Sequence, residues 1–371
     1  MNLSYWEIKS YLSNIDYTIV GSGIVGLNCA LRLRQRFPKA NILILERGFL
    51  PQGASTKNAG FACFGSLSEI LDDLKSHSEE EVVDLIRKRR SGLDLLRQSL
   101  SDIAIGYKQH GGYELFDHKD DEGYHRCMSQ MGNVNAILKP YFKGDVFEVK
   151  ENTFNFKNIQ KQLCFTPFEG QIDTGKMMRS LTDLVLRKGV LILNSVSVEH
   201  FEELNNRVQI KTNHFEFQSK QLLICTNGFA SKLIDVRVRP ARAQVLITKP
   251  IKNLPIKGTF HLDEGYYYFR NIDDRILLGG GRNLDFKTEE TTEMAQTELI
   301  QNKLISLLKS TILPQTPFEI QHQWSGIMGV GSTKKPIVKP LSTNVFCGVR
   351  LGGMGIAIGS HVGRELADLV N

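Results

Sequence analysis

Four stretches of the chain, centred on Ile19, Ile44, Ile224 and Phe346, are apolar at nearly every position. Runs that short and that uniformly apolar predict strands covered on both faces, as in a parallel sheet. They lie far apart, with β-rich material between them. The pattern therefore predicts a sheet assembled from separate segments, with a second unit inserted. Residues 24–36 carry apolar positions at helical spacing and stop before Pro38, as a helix does ahead of proline. The segment 51–66, PQGASTKNAGFACFGS, has no helical or strand period and reads as a loop. Helices are expected at 68–74 and 78–101, and strands at 107–116 and 146–149. From 168 to 203 the pattern gives a turn, an amphipathic helix ending near Gly189, and a strand through Val198. Two strands follow before Thr226. Residues 240–286 are β-rich, and EGYYYFRNIDDRILLGGGR reads as a hairpin turning near Asp273 and Asp274. A polar helix is expected at 291–308, and the end of the chain gives strand, glycine-rich turn and helix. No repeat, low-complexity tract or linker interrupts the 371 residues.

The first strand and helix are joined by GSGIVG, in which Gly21, Gly23 and Gly26 form a G-x-G-x-x-G turn. The first glycine permits the tight turn, the second lets backbone approach a pyrophosphate, and the third allows close packing of helix on strand. The helix N-terminus at Ile24 favours negative charge. Glu46, followed by Arg47, ends the second strand, where a carboxylate can accept hydrogen bonds from ribose hydroxyls. The unit indicates a dinucleotide site without distinguishing NAD from FAD.

Composition narrows the alternatives. With 41% hydrophobic and 23% charged residues, the chain is of ordinary globular make-up. Its formal charge of +6, from 46 basic and 40 acidic residues, is mild. The densest basic run, Arg87 to Arg90, lies in a helical pattern that also carries acids. It reads as a solvated helix face rather than a nucleic-acid footprint, so no nucleic-acid partner is expected. The six cysteines are far apart and form no ligand spacing; Cys29 and Cys225 are expected as buried small residues, in a reduced, cytoplasmic compartment. Neither a signal peptide nor a membrane segment is expected. The nine histidines form no HxxxH or comparable constellation, so no metal site is expected.

The loop GASTKNAGF, taken with the N-terminal motif, resembles the D-amino acid oxidase, glycine oxidase and sarcosine oxidase superfamily of FAD-dependent oxidoreductases. There an S-x-x-N-A/G-G loop wraps the pyrophosphate and flavin edge. The resemblance implies such contacts from Ser55, Thr56, Lys57, Asn58, Ala59, Gly60 and Phe61. Further segments match in order. EGQIDTGKMMRSL resembles a G-x-I-D-P helix start, with Thr174 in the proline's place, and NSVSVEHFE resembles the strand whose Val198 backbone faces adenine. LLICTNGFAS resembles V-x-A-T-G-A-W, implicating Thr226, Asn227 and Gly228, with Asn227 as an intruder. VRPARAQVL resembles R-P-x-R-G-Q, with Ala243 for glycine. In GGMGIAIG, the residues Gly353, Met354, Gly355 and Ile356 correspond to the G-H-G turn that closes over the flavin.

The resemblance implies an α/β (α+β) chain: a Rossmann-like FAD-binding domain (1–66, 150–235 and 325–371) with an inserted antiparallel β-rich substrate domain (67–149 and 236–324). It implies non-covalent FAD, because the small-residue loop and the segment GSTKKPIV lack the histidine or cysteine used for covalent attachment. The implied reaction is oxidation of a C–N bond in a small amine or amino acid derivative to an imine, by hydride transfer to flavin N5. Flavin-dependent RNA modification, and flavin binding without amine turnover, stand as alternatives. No catalytic residue is assigned, since hydride transfer requires no proton-transfer group. Tyr268, Arg282, Trp324 and Met328 are the candidate substrate-pocket residues. Met328, in WSGIMGV, replaces the arginine that binds the substrate carboxylate in glycine and D-amino acid oxidases. That wording is more like the branch oxidising polyamine derivatives such as gamma-glutamylputrescine. Arg242, Arg270 and Arg282 are the arginines available in its stead. Leu277 or Leu278 falls where sarcosine oxidase-like enzymes carry a lysine that assists oxygen reduction. Electron acceptor, substrate identity and oligomeric state stay open.

Overall fold

The computed structural model describes residues 2–370, so the outermost residues of the expected first domain, Met1 and Asn371, lie outside it. The four apolar runs are neighbours in one sheet. Its main path runs Ile337–Pro340, Val345–Val349, Glu216–Ile224, Ile15–Val20, Ile42–Leu45, Leu191–Leu193. The strand Ile15–Val20 is parallel to both neighbours, with Ile19 opposite Ile44 on one side and Leu223 on the other. Both faces of this sheet are covered, which is why the strands lack alternation. On one face lie the helices Ile24–Arg36, Thr174–Arg187, Glu79–Leu100 and Gly355–Asp368. On the other, Leu43, Leu222 and Ile224 pack with Val208, Ile210 and Phe217 of an antiparallel ribbon.

A second, mostly antiparallel sheet runs Ile320–Val330, Arg239–Thr248, Arg275–Gly280, Tyr267–Ile272, Thr259–Leu262, Gly112–Leu115, Gln162–Thr166, Glu148–Glu151. One face buries Phe260, Phe269, Leu246 and Leu278 against the helix Glu298–Leu307. The expected hairpin is present, and its turn residues Asp273 and Asp274 have φ of 47° and 57°, the paired positive values of a tight two-residue connection.

Several expectations shift. The loop 51–66 contains one helical turn, Ala54–Lys57, and a two-residue strand, Phe61–Ala62. The strand expected at 107–116 shortens to Gly112–Leu115, because Lys108 pairs with Gln171 instead. The helix expected from 291 starts at Glu298, since Thr297 is held by the Gln244 side chain. An unexpected helix, Asp121–Leu138, is capped by Asp120 and seats Cys127, Met131, Val134 and Leu138. The basic run is not a solvated face throughout: Arg89 is buried and donates to Phe64 O at 2.7 Å. All six cysteines are free and buried. Among the described residues no helix is long and apolar enough to cross a membrane.

Candidate functional site

The C-terminal ends of the parallel strands and one wall of the second sheet enclose a cavity of about 710 Å3, within the range of roughly 300–1,000 Å3 usual for cofactor and small-molecule sites. Val20, Leu45 and Cys225 line it from the first sheet, and Val245, Tyr268 and Gly280 from the second. The position is the one expected of an open parallel sheet, where ligands bind beyond the strand ends.

At one end the site is made largely of main chain. Gly21 takes φ +104°, and a Cβ on Gly26 would lie 2.0 Å from Gly21 O, so the turn and the helix after it can meet only with glycine at both places. Gly23 caps the helix, and its neighbour Ile24 donates N–H to Ser55 Oγ at 2.9 Å. Glu46 is buried and fixed: Oε2 accepts from Ser22 N at 3.1 Å and Ser22 Oγ at 2.7 Å, and Oε1 from Gly48 N at 3.1 Å. Arg47 lies 3.8 Å over the Phe229 ring.

The loop 53–61 is held by two clamps. Asn58 Oδ1 accepts from Gly60 N at 2.9 Å and Thr174 Oγ1 at 2.8 Å, while its Nδ2 donates to Ser55 O at 2.8 Å. Thr174, the departure from proline, is thus a hydrogen-bond partner of the loop. The second clamp is Arg270, whose Nε donates to Ala59 O and whose Nη2 donates to Ile172 O at 2.9 Å. Burial lowers its pKa to about 10, leaving it cationic at neutral pH. Gly60 faces this guanidinium so closely that a Cβ would lie 2.5 Å from Nη2. Asn227, the other departure, has φ 46°, and its Oδ1 accepts from Arg350 N and Leu351 N at 3.1 and 3.2 Å. It ties the end of one strand to the glycine turn at 352–353.

Most of the expected residues line the cavity: Gly21, Gly23, Ile24, Glu46, Arg47, Ser55, Lys57 to Phe61, Val198, Thr226, Asn227, Gly353 to Ile356, Tyr268, Arg282 and Met328. Four do not. Gly26 packs beneath the turn, and Thr56 folds back to donate to Pro51 O at 2.7 Å. Gly228 lies against Met328 O, which a Cβ would approach to 2.4 Å. Trp324 turns its Nε1 to Lys57 O at 2.9 Å, so it braces the loop from behind rather than walling the pocket.

The remainder of the cavity is made of side chains. Tyr266 and Tyr268 face it, while Tyr267 and Phe269 enter the core, as strand alternation requires. The Tyr268 phenol, pushed by burial up to about 12, stays neutral. Among the three arginines, Arg242 is bound through both Nε and Nη2 to Glu289, at 2.8 Å each. Arg270 is spent on the loop. Arg282 alone of the three lines the cavity; its guanidinium lies 4.7 Å over Phe286, with no hydrogen bond or ion pair among the described residues. Cys63, Glu69 and His261 also line the cavity and were not expected there. Cys63 Sγ lies 3.7 Å from Met354 Sδ. Glu69 carries a visible signal, the S-x-x-E capping box with Ser66, but that motif speaks of the helix Leu67–Ser76 and not of a site.

The residues present fit the FAD that the resemblance implies. A glycine turn presents main chain beneath a helix N-terminus, a buried acid ends the adjoining strand, and the buried Thr226 Oγ1 in the cavity wall has no partner. Comparison with known proteins agrees. A profile described as FAD dependent oxidoreductase (DAO) matches residues 16–369. Probable oxidoreductase OrdL of Haemophilus influenzae is 19% identical over 97% of this chain and 83% of that protein. Gamma-glutamylputrescine oxidoreductase of Escherichia coli is 21% identical over 96% of this chain and 83% of that protein. The crystal structure of glycine oxidase from Bacillus cereus superposes with a TM-score of 0.77 at 15% identity, over 96% of this chain and 94% of that one. That last likeness is one of fold.

Proposed function

The chain belongs to the FAD dependent oxidoreductase family, and from that premise we propose that it oxidises a C–N bond of a small amine or amino acid derivative to the imine, which water then hydrolyses. Bound FAD would supply the two-electron acceptor for this oxidation, and the amine proton would leave to solvent. The work of the chain is placement and exclusion of water. Ala243, Val245, Ile327 and Met328 give an apolar wall, and Tyr268 places a neutral phenol in it. The observation that carries the reading is Arg282, a half-buried guanidinium on the cavity wall with no acceptor of its own. It suits a substrate that carries a carboxylate or another anionic group away from the amine, in place of the arginine missing at Met328.

We assign cofactor contact to Gly21, Gly23, Ile24, Glu46, Arg47, Ser55, Lys57 to Phe61, Val198, Thr226, Asn227 and the turn 353–356, with Gly26, Thr56 and Gly228 shaping those contacts from behind. By sheet membership we place residues 148–166 and 320–330 with the inserted domain. We hold FAD binding to be non-covalent: acid precipitation of the holoprotein releases the yellow cofactor to the supernatant, and colour retained in the pellet refutes this. A cytoplasmic location is supported by six reduced cysteines. The reading as a whole is tested by anaerobic mixing with glycine, D-amino acids, diamines and gamma-glutamylputrescine. Bleaching of the oxidised flavin band by at least one of them is expected; no bleaching by any leaves flavin binding without amine turnover.

A further inference from the structure

The strand Thr259–Leu262 sends Phe260 into the apolar core and turns Thr259 and His261 to the opposite side. There both meet Glu169, a residue 1% exposed. Thr259 Oγ1 donates to Glu169 Oε2 at 2.9 Å, and His261 Nε2 lies 3.0 Å from the same oxygen. Gly112 makes room for the carboxylate, since a Cβ there would lie 2.1 Å from Oε2. With Nε2 fixed on an acceptor, it carries a proton. The other ring nitrogen, Nδ1, has no hydrogen-bond partner among the described residues, although His261 is 5% exposed and lines the cavity.

We propose that His261 is a substrate-anchoring residue, held by Glu169 so that its Nδ1–H donates to a carboxylate of the substrate beside Cys63 and Met354. The proposal rests on the amine-oxidoreductase reading and adds to it a second donor, besides Arg282, for an anionic group of the substrate. The groups facing the imidazole are Glu169 beneath it, Glu69 from the helix Leu67–Ser76, Glu114 from the strand Gly112–Leu115, and Cys63. Burial lowers the imidazole pKa. The Glu169 charge and hydrogen bond, with smaller help from Glu69 and Glu114, outweigh this and raise it to about 9. At neutral pH both nitrogens are therefore protonated, and the Nδ1–H of this cavity-lining ring has no acceptor among the described residues. A charged donor facing a cavity is best met by an anionic oxygen. Thr259 and His261 share one Glu169 oxygen, Oε2, while Oε1 is buried without a partner.

Benzoate, with benzamide as its neutral counterpart, serves as the probe. Each is titrated into the FAD-loaded protein and followed by perturbation of the flavin absorption band, which needs no turnover. The imidazole charge is present below its raised pKa and lost above it, so wild-type benzoate affinity is expected to fall as pH rises through about 9, with benzamide unaffected. His261→Gln is expected to weaken benzoate by about tenfold or more at pH 7, with FAD content unchanged. Glu169→Gln is expected to move the fall to near the free-imidazole value of about 6.5. Four outcomes overturn the proposal. These are unchanged benzoate affinity in His261→Gln, pH-independent benzoate binding in the wild type, and no benzoate-induced shift at all. The fourth is a stoichiometric metal ion in the purified protein that is lost in His261→Gln, because ligand atoms of Cys63, Glu169 and His261 lie within 4.8 Å of one another. The wild-type pH series decides the matter even where a variant loses FAD. Failure of every amine to bleach the flavin would defeat the proposed reaction and leave these titrations intact.

Discussion

The two parts of the cavity are made of different material. Around Gly21, Gly23 and Glu46 the wall is main chain and one fixed carboxylate, drawn from residues close in sequence and locked by hydrogen bonds to their own neighbours. Around Tyr268, Arg282, Met328 and His261 it is side chains, carried on separate strands of an antiparallel sheet or just beyond one. A main-chain site is intolerant, because any Cβ at its glycines meets something. A side-chain site is exchangeable, because one strand position can be changed while the sheet beneath it stays the same. A single scaffold can therefore keep one cofactor and vary its substrate.

If that contrast is right, the largest effects belong to the main-chain end. Gly23→Val is expected to abolish FAD retention, lowering the flavin-to-protein absorbance ratio of the purified protein by at least about tenfold. The added carbon begins 2.9 Å from Ser55 Oγ and fills the approach beside the helix N-terminus. Circular dichroism should show the fold intact. Full FAD occupancy in this variant would remove the turn from the site. Next comes the loop clamp. Arg270→Met keeps the bulk but leaves Ala59 O and Ile172 O without their donor, and about 2–4 kcal/mol of stability should be lost in urea unfolding. A loss under 1 kcal/mol would mean that the loop holds itself, through Asn58 alone.

The substrate part should respond more gently and more selectively. Arg282→Gln is expected to raise KM by roughly 10- to 100-fold for an amine that also bears a carboxylate, with FAD content unchanged and little effect on an amine without one. Equal losses for both kinds of amine would assign Arg282 a structural role and weaken the contrast between the two parts.

The same contrast explains what could be read from the sequence. Gly21 and Gly26 are legible because geometry at each forbids a side chain, Gly23 because it completes their spacing at the helix start, and the four apolar strands because both their faces are covered. Tyr266 and Tyr268 could be separated from Tyr267 by alternation alone. His261 and Glu169 could not be found that way. They are 92 residues apart; the motif that begins at Glu169 speaks of the helix after it, and the two meet because Thr259 pairs with Gly112 while Gly111 N donates to Glu169 O. Trp324 is the opposite case: an aromatic in a pocket-forming strand reads as a wall candidate, while its Nε1 donates to the main chain of the loop at Lys57 O. The helix Asp121–Leu138 was legible and unread, for Cys127, Met131, Val134 and Leu138 keep helical spacing.

The smallest effect concerns a departure from the family wording. Thr174 is the first residue of its helix, where proline is well tolerated because the N–H there has no helical partner. This chain instead uses the hydroxyl to bind Asn58 Oδ1. Thr174→Val should cost about 1 kcal/mol in urea unfolding, the net worth of one such bond, and should speed FAD dissociation by loosening the loop. Thr174→Pro loses the same bond but stiffens the unfolded chain, which returns roughly 0.4–1 kcal/mol. It should therefore unfold at a higher urea concentration than Thr174→Val, yet release FAD equally fast. If proline instead restores both stability and slow release, Asn58 is held well enough by its remaining bonds to Gly60 and Ser55. The Thr174 bond would then add little to what Arg270 and Trp324 already supply.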